Sequence, residues 1–305
     1  MDFQGRSIVS IRDFQREEIQ YVVQRAMEIK QGRHADCLKG KVLATLFFEP
    51  STRTRLSFEA AMVRMGGQVF GFADPNVSSA TKGETLSDTI RTVCGYCHVI
   101  AMRHRIEGAA RLASEVSSVP VINAGDGANQ HPTQTFLDLV TIQEEVGRLT
   151  NLRVGMLGDL LHGRTVHSLA MALSLFGAEF VFIAPQSLRM PEDLTAHLAA
   201  AGRSFAEIED MKDIGKPLDV LYVTRIQKER FEDFQEYQKV AGSYRITPDV
   251  LSQAGEKVRI MHPLPRVDEI APEVDRLPNA LYFRQAHNGI PTRQALLGLV
   301  TGAIS

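Results

Sequence analysis

A chain of 305 residues with 44% hydrophobic composition can bury one large core or two of about 150 residues each, and two is the expectation. Its 34 basic and 36 acidic residues leave a formal charge of -2 with no long basic block, which argues against nucleic acid as a partner and leaves any charged ligand to local clusters. Met1 to Arg6 has no apolar signal core, and the most apolar stretch, Ala170 to Ala184, is interrupted by Gly177 and Glu179, so a soluble cytoplasmic protein without membrane association is expected.

In chain order, strand-like runs at Val42 to Phe48, Val69 to Phe72, His98 to Met102 and Val119 to Asn123 alternate with helical patterns, the signature of a parallel sheet. Between them, Cys94-Gly95-Tyr96-Cys97 is a lone C-x-x-C with no second pair to complete four zinc ligands, and it reads as two small buried helix residues. A helix is predicted from about Thr133 to Gly147, with Phe136, Leu139, Val140 and Val146 on one stripe and Gly147 as C-cap. The alternation restarts at Leu152 to Leu157, Phe180 to Ala184, Val220 to Thr224 and Val258 to Met261. A last helix, near Pro291 to Ala303, carries Leu296, Leu297 and Val300 at apolar spacing. The expected class is α/β: two βα domains, each with a mostly parallel sheet flanked by helices, joined by long helices. Residues 1–132 form the first, with the C-terminal helix, about 288–305, packing back on it, and 133–287 form the second.

Chemistry gathers where the first predicted strand turns into a helix, at Phe47-Phe48-Glu49-Pro50-Ser51-Thr52-Arg53-Thr54-Arg55. A helix start offers unpaired N–H groups and partial positive charge, and a guanidinium grips phosphate oxygens with two parallel hydrogen bonds, so the stretch reads as a phosphate cradle. Taken alone, Ser51 is equally an ordinary N-cap, and Arg53 and Arg55 a solvated helix face. The lysine of G-x-x-x-x-G-K-[ST] is missing, which argues against a nucleoside-triphosphate machine and for a phosphate site with no required metal.

Other polar clusters also follow predicted strands, where open parallel sheets bind ligands. Gly125-Asp126-Gly127-Ala128-Asn129-Gln130-His131-Pro132-Thr133-Gln134 sets a histidine suited to donate to a carbonyl oxygen, and a glutamine one turn on suited to an amide-like group. In isolation both are also ordinary helix-end residues. Arg103 follows Met102, Arg164 opens a helix, and Arg225 with Gln227 follows Val220 to Thr224, all suited to anionic groups. His262-Pro263-Leu264-Pro265-Arg266 ends another strand, and its prolines, having no N–H, hold carbonyls outward as acceptors.

Seven segments, Ser51-Thr52-Arg53-Thr54-Arg55, Lys82-Gly83-Glu84-Thr85, Met102-Arg103-His104, His131-Pro132-Thr133-Gln134, Gly163-Arg164-Thr165-Val166, Thr224-Arg225-Ile226-Gln227 and His262-Pro263-Leu264-Pro265-Arg266, occur in an order and spacing that resembles the aspartate/ornithine carbamoyltransferase family almost end to end. The resemblance implies a carbamoyl transfer from carbamoyl phosphate to L-aspartate, without cofactor or metal. It implies that Ser51, Thr52, Arg53 and Thr54 hold the phosphate with Arg103 beside them, and that Thr54, Arg103 and His131 polarise the carbamoyl carbonyl. Gln134 and the Pro263-Leu264-Pro265 turn, through the carbonyls of Pro263 and Leu264, would hold the carbamoyl nitrogen. Arg164, with Arg103, would take the α-carboxylate of aspartate, and Arg225, oriented by Gln227, the β-carboxylate. Lys82, reaching both substrates, and Ser78, with Ser79 as a stand-in, would come from a neighbouring subunit of a homotrimer with shared active sites. The resemblance also admits a zinc-binding regulatory chain as a further partner.

The nearest rival, an ornithine carbamoyltransferase, has a cysteine in the family pattern where Pro263 stands, and a cationic side chain would be repelled by Arg164 and Arg225. A nucleotide-binding oxidoreductase, prompted by Gly155-Met156-Leu157-Gly158-Asp159, lacks the third glycine of G-x-G-x-x-G. A non-catalytic phosphate-binding protein is the third reading.

Overall fold

The computed structural model describes residues 1–74, 82–226, 234–240 and 244–305. They divide into two compact units, Met1–Val140 with Asn288–Ser305, and Thr141–His287. In the first unit the chain runs through α1 (Arg16–Lys30), β1 (Val42–Phe47), α2 (Thr52–Arg64), β2 (Gln68–Phe72), α3 (Leu86–Cys94), β3 (Val99–His104), α4 (Ala109–Val116) and β4 (Val121–Asp126), and leaves along α5 (Pro132–Val146). The second unit holds β5 (Arg153–Leu157), α6 (Arg164–Ser174), β6 (Glu179–Ile183), α7 (Glu192–Ala200), β7 (Phe205–Ile208), β8 (Val220–Val223), α8 (Phe234–Val240), α9 (Pro248–Leu251) and β9 (Arg259–Met261). The chain then returns to the first unit along α10 (Tyr282–Val300).

Both sheets are parallel throughout. The first has four strands in the order β2-β1-β3-β4 and the second five in the order β7-β6-β5-β8-β9. In each, successive strands first add on one side and then cross to the other. The reversal falls between β1 and β3 in the first sheet and between β5 and β8 in the second, and at such a reversal the loops beyond the strand ends diverge and open a crevice.

The central strands are continuous apolar runs because helices cover both faces of a parallel sheet. Leu43, Ala44, Leu46 and Phe47 of β1 and all four residues of β8 are buried. Ala44, Leu46, Ile100, Met102 and Val121 form one cluster with Ile90 of α3. In the second unit Leu157, Val181, Leu221, Val223 and Ile260 pack with Ile246 and Val274. Among the described residues no helix is long and apolar enough to cross a membrane.

Three details differ from the sequence reading. β7 is an added edge strand that the reading lacks, because Phe205-Ala206-Glu207-Ile208 is short and half-exposed and shows no apolar run. The last helix begins at Tyr282 and passes through Pro291 instead of starting near it; proline removes its own N–H and crowds the carbonyl four residues back, yet the helix continues, with Thr292 donating its hydroxyl to the Asn288 carbonyl at 2.7 Å. Cys94 ends α3, but Cys97 lies in the turn before β3, donating to the Val93 carbonyl at 3.4 Å. Both are buried, and burial pushes the Cys97 thiol up to about 11.

Gly158, directly after β5, adopts φ +119°, and a Cβ built on it would lie 2.2 Å from the Thr224 carbonyl oxygen at the end of β8. Glycine is what lets the two strand ends at the reversal approach so closely. Gly158→Ala is expected to destabilise the fold by about 2–4 kcal/mol, since both the dihedral and the contact resist a methyl group. Urea unfolding followed by circular dichroism measures it, and an unchanged midpoint would show that the strand ends part at little cost.

Candidate functional site

In the first unit the polar cluster is assembled at the β1/β3 reversal. Phe47 pairs with Arg103, and the Phe48 N–H donates to the Arg103 carbonyl at 2.9 Å, so the end of β1 and the arginine of β3 are fixed side by side. Ser51 occupies the N-cap of α2 in an extended conformation, yet its hydroxyl makes no capping hydrogen bond. The first-turn N–H groups are therefore not satisfied by that side chain, and the helix start keeps its capacity for an anion. Thr52 and Arg53 are exposed on this first turn and Thr54 is buried. Arg55 turns aside to Glu59 at 3.1 Å, one helical turn on.

Two cations meet here. Arg53 is held below the ordinary arginine value by desolvation and by the guanidinium of Arg103. Arg103 in turn donates to Glu49 Oε1 and to the Ala124 carbonyl, both at 3.3 Å, while its Nε and Glu49 Oε2 are buried without a protein partner. Two guanidinium groups brought together repel unless an anion lies between or beside them, and an anion of more than one charge relieves both. Glu49, to which the sequence reading gave no role, supplies one negative charge. Its signal was a carboxylate in the strand-to-helix turn itself.

The loop after β4 is shaped by Asp126, whose carboxylate accepts from the Gly108 N–H, the Asn123 and Asn129 amides and the Gln130 N–H at 2.9–3.0 Å. It leads to buried His131, whose carbonyl accepts from the Gln134 N–H at 2.9 Å as α5 begins. His131 Nδ1 lies 3.4 Å from the Thr133 hydroxyl, and the Gln134 side-chain amide donates to Asp138 at 2.9 Å. Lys82 is exposed in the turn before α3, and Gly83 beside it has φ +90°. Ser78, Ser79 and Gln227 lie outside the described residues.

The second unit repeats the arrangement at β5/β8. The Asp159 carboxylate, wholly buried, accepts from the His162 N–H at 3.0 Å, and Gly163 then caps α6, on whose first residue, Arg164, the half-buried guanidinium is carried. A Cβ on Gly163 would lie 2.6 Å from the Asp159 carbonyl, so the turn admits no side chain there. Thr224 is tied to β5 through its N–H to the Leu157 carbonyl at 2.8 Å, and half-buried Arg225 follows it.

Beyond β9 the Pro263-Leu264-Pro265 turn is held from behind. His262, buried, accepts the Leu264 N–H on Nδ1 at 2.8 Å, which leaves its proton on Nε2 to donate to Glu269 at 2.7 Å. Glu269 also accepts the Val267 and Asp268 N–H groups, and the Gln285 side chain accepts the His262 N–H. Leu264 sits at φ +56°, and the bond to Pro265 is cis. Burial holds the His262 imidazole below its usual range despite Glu269, with the charges of Arg266 and Arg225 adding to the effect. Arg266 is engaged by Asp275 and Tyr282, a structural use. Among the described residues there is no group of three or more His, Cys, Asp or Glu able to hold a metal ion.

These two clusters, each at a strand reversal, can be compared with known proteins. Residues 6–144 match the family described as aspartate/ornithine carbamoyltransferase, carbamoyl-P binding domain, and residues 150–300 match its Asp/Orn binding domain. The chain is 56% identical to the aspartate carbamoyltransferase catalytic subunit of Thermococcus onnurineus, covering 100% of this chain and 99% of that one. It is 53% identical to that of Chromobacterium violaceum, covering 97% of each. Among solved structures it resembles the catalytic subunit of M. jannaschii aspartate transcarbamoylase (53% identity, 96% of each chain, TM-score 0.89). It also resembles the Trypanosoma cruzi aspartate transcarbamoylase in complex with carbamoyl phosphate and aspartate (40% identity, 98% of this chain and 97% of that one, TM-score 0.91). With both halves matched and relatives aligned over their whole length, the chain belongs to the aspartate/ornithine carbamoyltransferase family.

Proposed function

We propose that the chain is an enzyme that transfers the carbamoyl group of carbamoyl phosphate to the α-amine of L-aspartate, giving N-carbamoyl-L-aspartate and phosphate, an early step of de novo pyrimidine biosynthesis. The observation that carries the reading is a helix start whose N-cap hydroxyl makes no capping hydrogen bond, with Arg53 on its first turn disfavoured as a cation by desolvation and by the charge of Arg103, a cost that a multiply charged phosphate would offset. Full-length relatives above 50% identity that bear the name aspartate carbamoyltransferase support the choice of acceptor.

The reaction is acyl transfer to an amine. The deprotonated α-amine attacks the carbamoyl carbon, a tetrahedral oxyanion forms, the carbon–oxygen bond to phosphorus breaks, and the departing phosphate takes the proton from the new nitrogen bond. Ser51, Thr52, Arg53 and Thr54 grip the phosphate, and the charge on Arg53 and Arg103 stabilises it as it leaves. Thr54, Arg103 and His131 donate to the carbonyl oxygen as its charge grows. His131 Nδ1 lies 3.4 Å from the Thr133 hydroxyl, and in the tautomer where that hydroxyl donates to Nδ1 the ring carries its proton on Nε2. Gln134 and the Pro263 and Leu264 carbonyls accept from the carbamoyl nitrogen, and the His262 hydrogen bond to the Leu264 N–H keeps that turn in shape. Arg164 and Arg225 take the two carboxylates of aspartate. Lys82, exposed on its own chain, and Ser78 serve a neighbouring subunit of a homotrimer, and a regulatory chain is a further partner. The relatives' name, catalytic subunit, supports the regulatory partner.

Arg53→Ala is expected to lower kcat/KM for carbamoyl phosphate by roughly two to four orders of magnitude, the loss of about 3–5 kcal/mol from two charge-assisted hydrogen bonds. Carbamoyl aspartate production assays it, with ornithine as the competing acceptor. Unchanged turnover removes Arg53 from the site, and a preference for ornithine removes the choice of acceptor.

Mixing inactive Lys82→Ala and Arg53→Ala chains is expected to restore part of the activity, because some sites then draw an intact cradle and an intact lysine from different chains. No recovery after subunit exchange verified by mass would exclude a shared site.

His262 is held below its ordinary value of 6.5, so on acidification the unfolded chain takes up the proton first. The stability its neutral form contributes is complete above that value and is lost as pH falls towards the lower folded value. His262→Asn is expected to lower the melting temperature at neutral pH and to flatten its fall as the pH drops below 6.5. A variant with the wild-type slope would assign the acid sensitivity elsewhere.

A further inference from the structure

Behind the start of α5 lies a charge pair that the roles above do not use. Arg293, on α10, is buried, with its guanidinium 5.0 Å from the centre of the Phe58 ring and its Nε without a hydrogen-bond partner. Desolvation pushes it down to about 10, still protonated at neutral pH, and the Asp138 carboxylate acts in the opposite direction. Asp138 is wholly buried on α5 and accepts the Gln134 side-chain amide at 2.9 Å, one helical turn away. From His131 to Val140 every residue but Gln134 is buried, so Gln134 is where this network reaches an accessible surface.

We propose that Asp138, through the hydrogen bond it accepts from the Gln134 side chain, is a positioning residue that locks the Gln134 amide and thereby selects an acyl donor bearing an N–H₂ group. An ionised carboxylate only accepts hydrogen bonds, so the Gln134 nitrogen must face Asp138. The amide is planar, and its oxygen therefore faces the opposite way, as an acceptor. An acceptor fixed in that direction favours the amine of a carbamoyl group over the methyl of an acetyl group of the same shape, since the methyl leaves the oxygen unpaired. A glutamine free to flip would present its own N–H₂ half the time and lose the distinction. The inference rests on the assignment of Gln134 to the carbamoyl nitrogen.

The test is the ratio of kcat/KM for carbamoyl phosphate to that for acetyl phosphate, with aspartate as acceptor. In Asp138→Asn the new amide turns its oxygen to Arg293 and its nitrogen to Gln134, which reverses the Gln134 amide. The ratio is expected to fall about tenfold, the size of one hydrogen bond to an uncharged group. A merely structural role would lower both donors together, and an unchanged ratio overturns the proposal. Should Asp138→Asn fail to fold with Arg293 left unpaired, Asp138→Leu with Arg293→Met removes both charges together with the acceptor and leaves the Gln134 amide free to flip. That double variant is expected to lower the ratio as well, an unchanged ratio again overturning the proposal. The side-chain amide NMR signals of Gln134 report the lock without turnover: a downfield, exchange-protected proton in the wild type that is lost in Asp138→Asn supports it, and identical signals overturn it. Wild-type protein with the lock but no carbamoyl transfer would count against the proposed reaction instead. Transfer with an unaltered donor ratio would count against the lock alone.

Discussion

The pairing of Phe47 with Arg103 across β1 and β3 is the constraint on which the polar cluster of the first unit is built. It sets Arg103 beside the turn that leads to Arg53, whose cationic form is disfavoured first by desolvation and then by the Arg103 charge. Glu49 offsets part of the charge from the intervening turn, with one carboxylate oxygen on Arg103 and the other left without a protein partner. The result is a cationic site that the folded core holds ready in advance. Preorganisation of this kind is how a protein stabilises a departing anion without reorganising at the moment of reaction.

The second unit solves a related problem with different chemistry. Arg225 emerges from β8 close enough to His262 for its charge to favour the neutral imidazole, and burial favours the same form. A neutral ring is what the turn needs: Nδ1 must accept the Leu264 N–H, and a protonated ring has no acceptor to offer. The cation that would bind a carboxylate thus also helps to keep the adjacent turn in shape. Glu269 is held low by its hydrogen bonds from His262 and Val267 in spite of burial, and remains the acceptor that fixes the tautomer.

What was legible in the sequence follows from this architecture. Buried parallel strands are continuous apolar runs, so β1, β3, β5 and β8 stand out, and the residues that follow them identify themselves as polar clusters. The edge strand β7 did not, because half its residues face outward and alternation over four residues is not distinctive. The start of α10 was misjudged because proline is ordinarily a first-turn residue, and nothing local tells that a helix already runs on both sides of Pro291. Residues that serve through a partner were invisible for a stronger reason. Asp138 and Arg293 are far apart in the chain, and Glu269 gains meaning only when His262 is folded against it, so no motif spacing encodes them.

The Asp138 and Arg293 pair also has to be explained energetically. A buried ion pair contributes little to stability, since desolvating two charges offsets most of their attraction, and well-packed apolar residues of similar volume would serve a core as well or better. The Arg293 guanidinium also donates to the Thr133 hydroxyl at 3.5 Å, while its Nε is buried without a hydrogen-bond partner, a cost that the attraction to Asp138 has to offset. What the carboxylate does, and an apolar residue does not, is give the Gln134 amide a direction. A charge that is expensive to bury is retained where its removal would leave a planar group free to rotate at the surface where recognition occurs. The pair is therefore best understood through the asymmetry it imposes on Gln134, and its modest stability is what that use leaves behind.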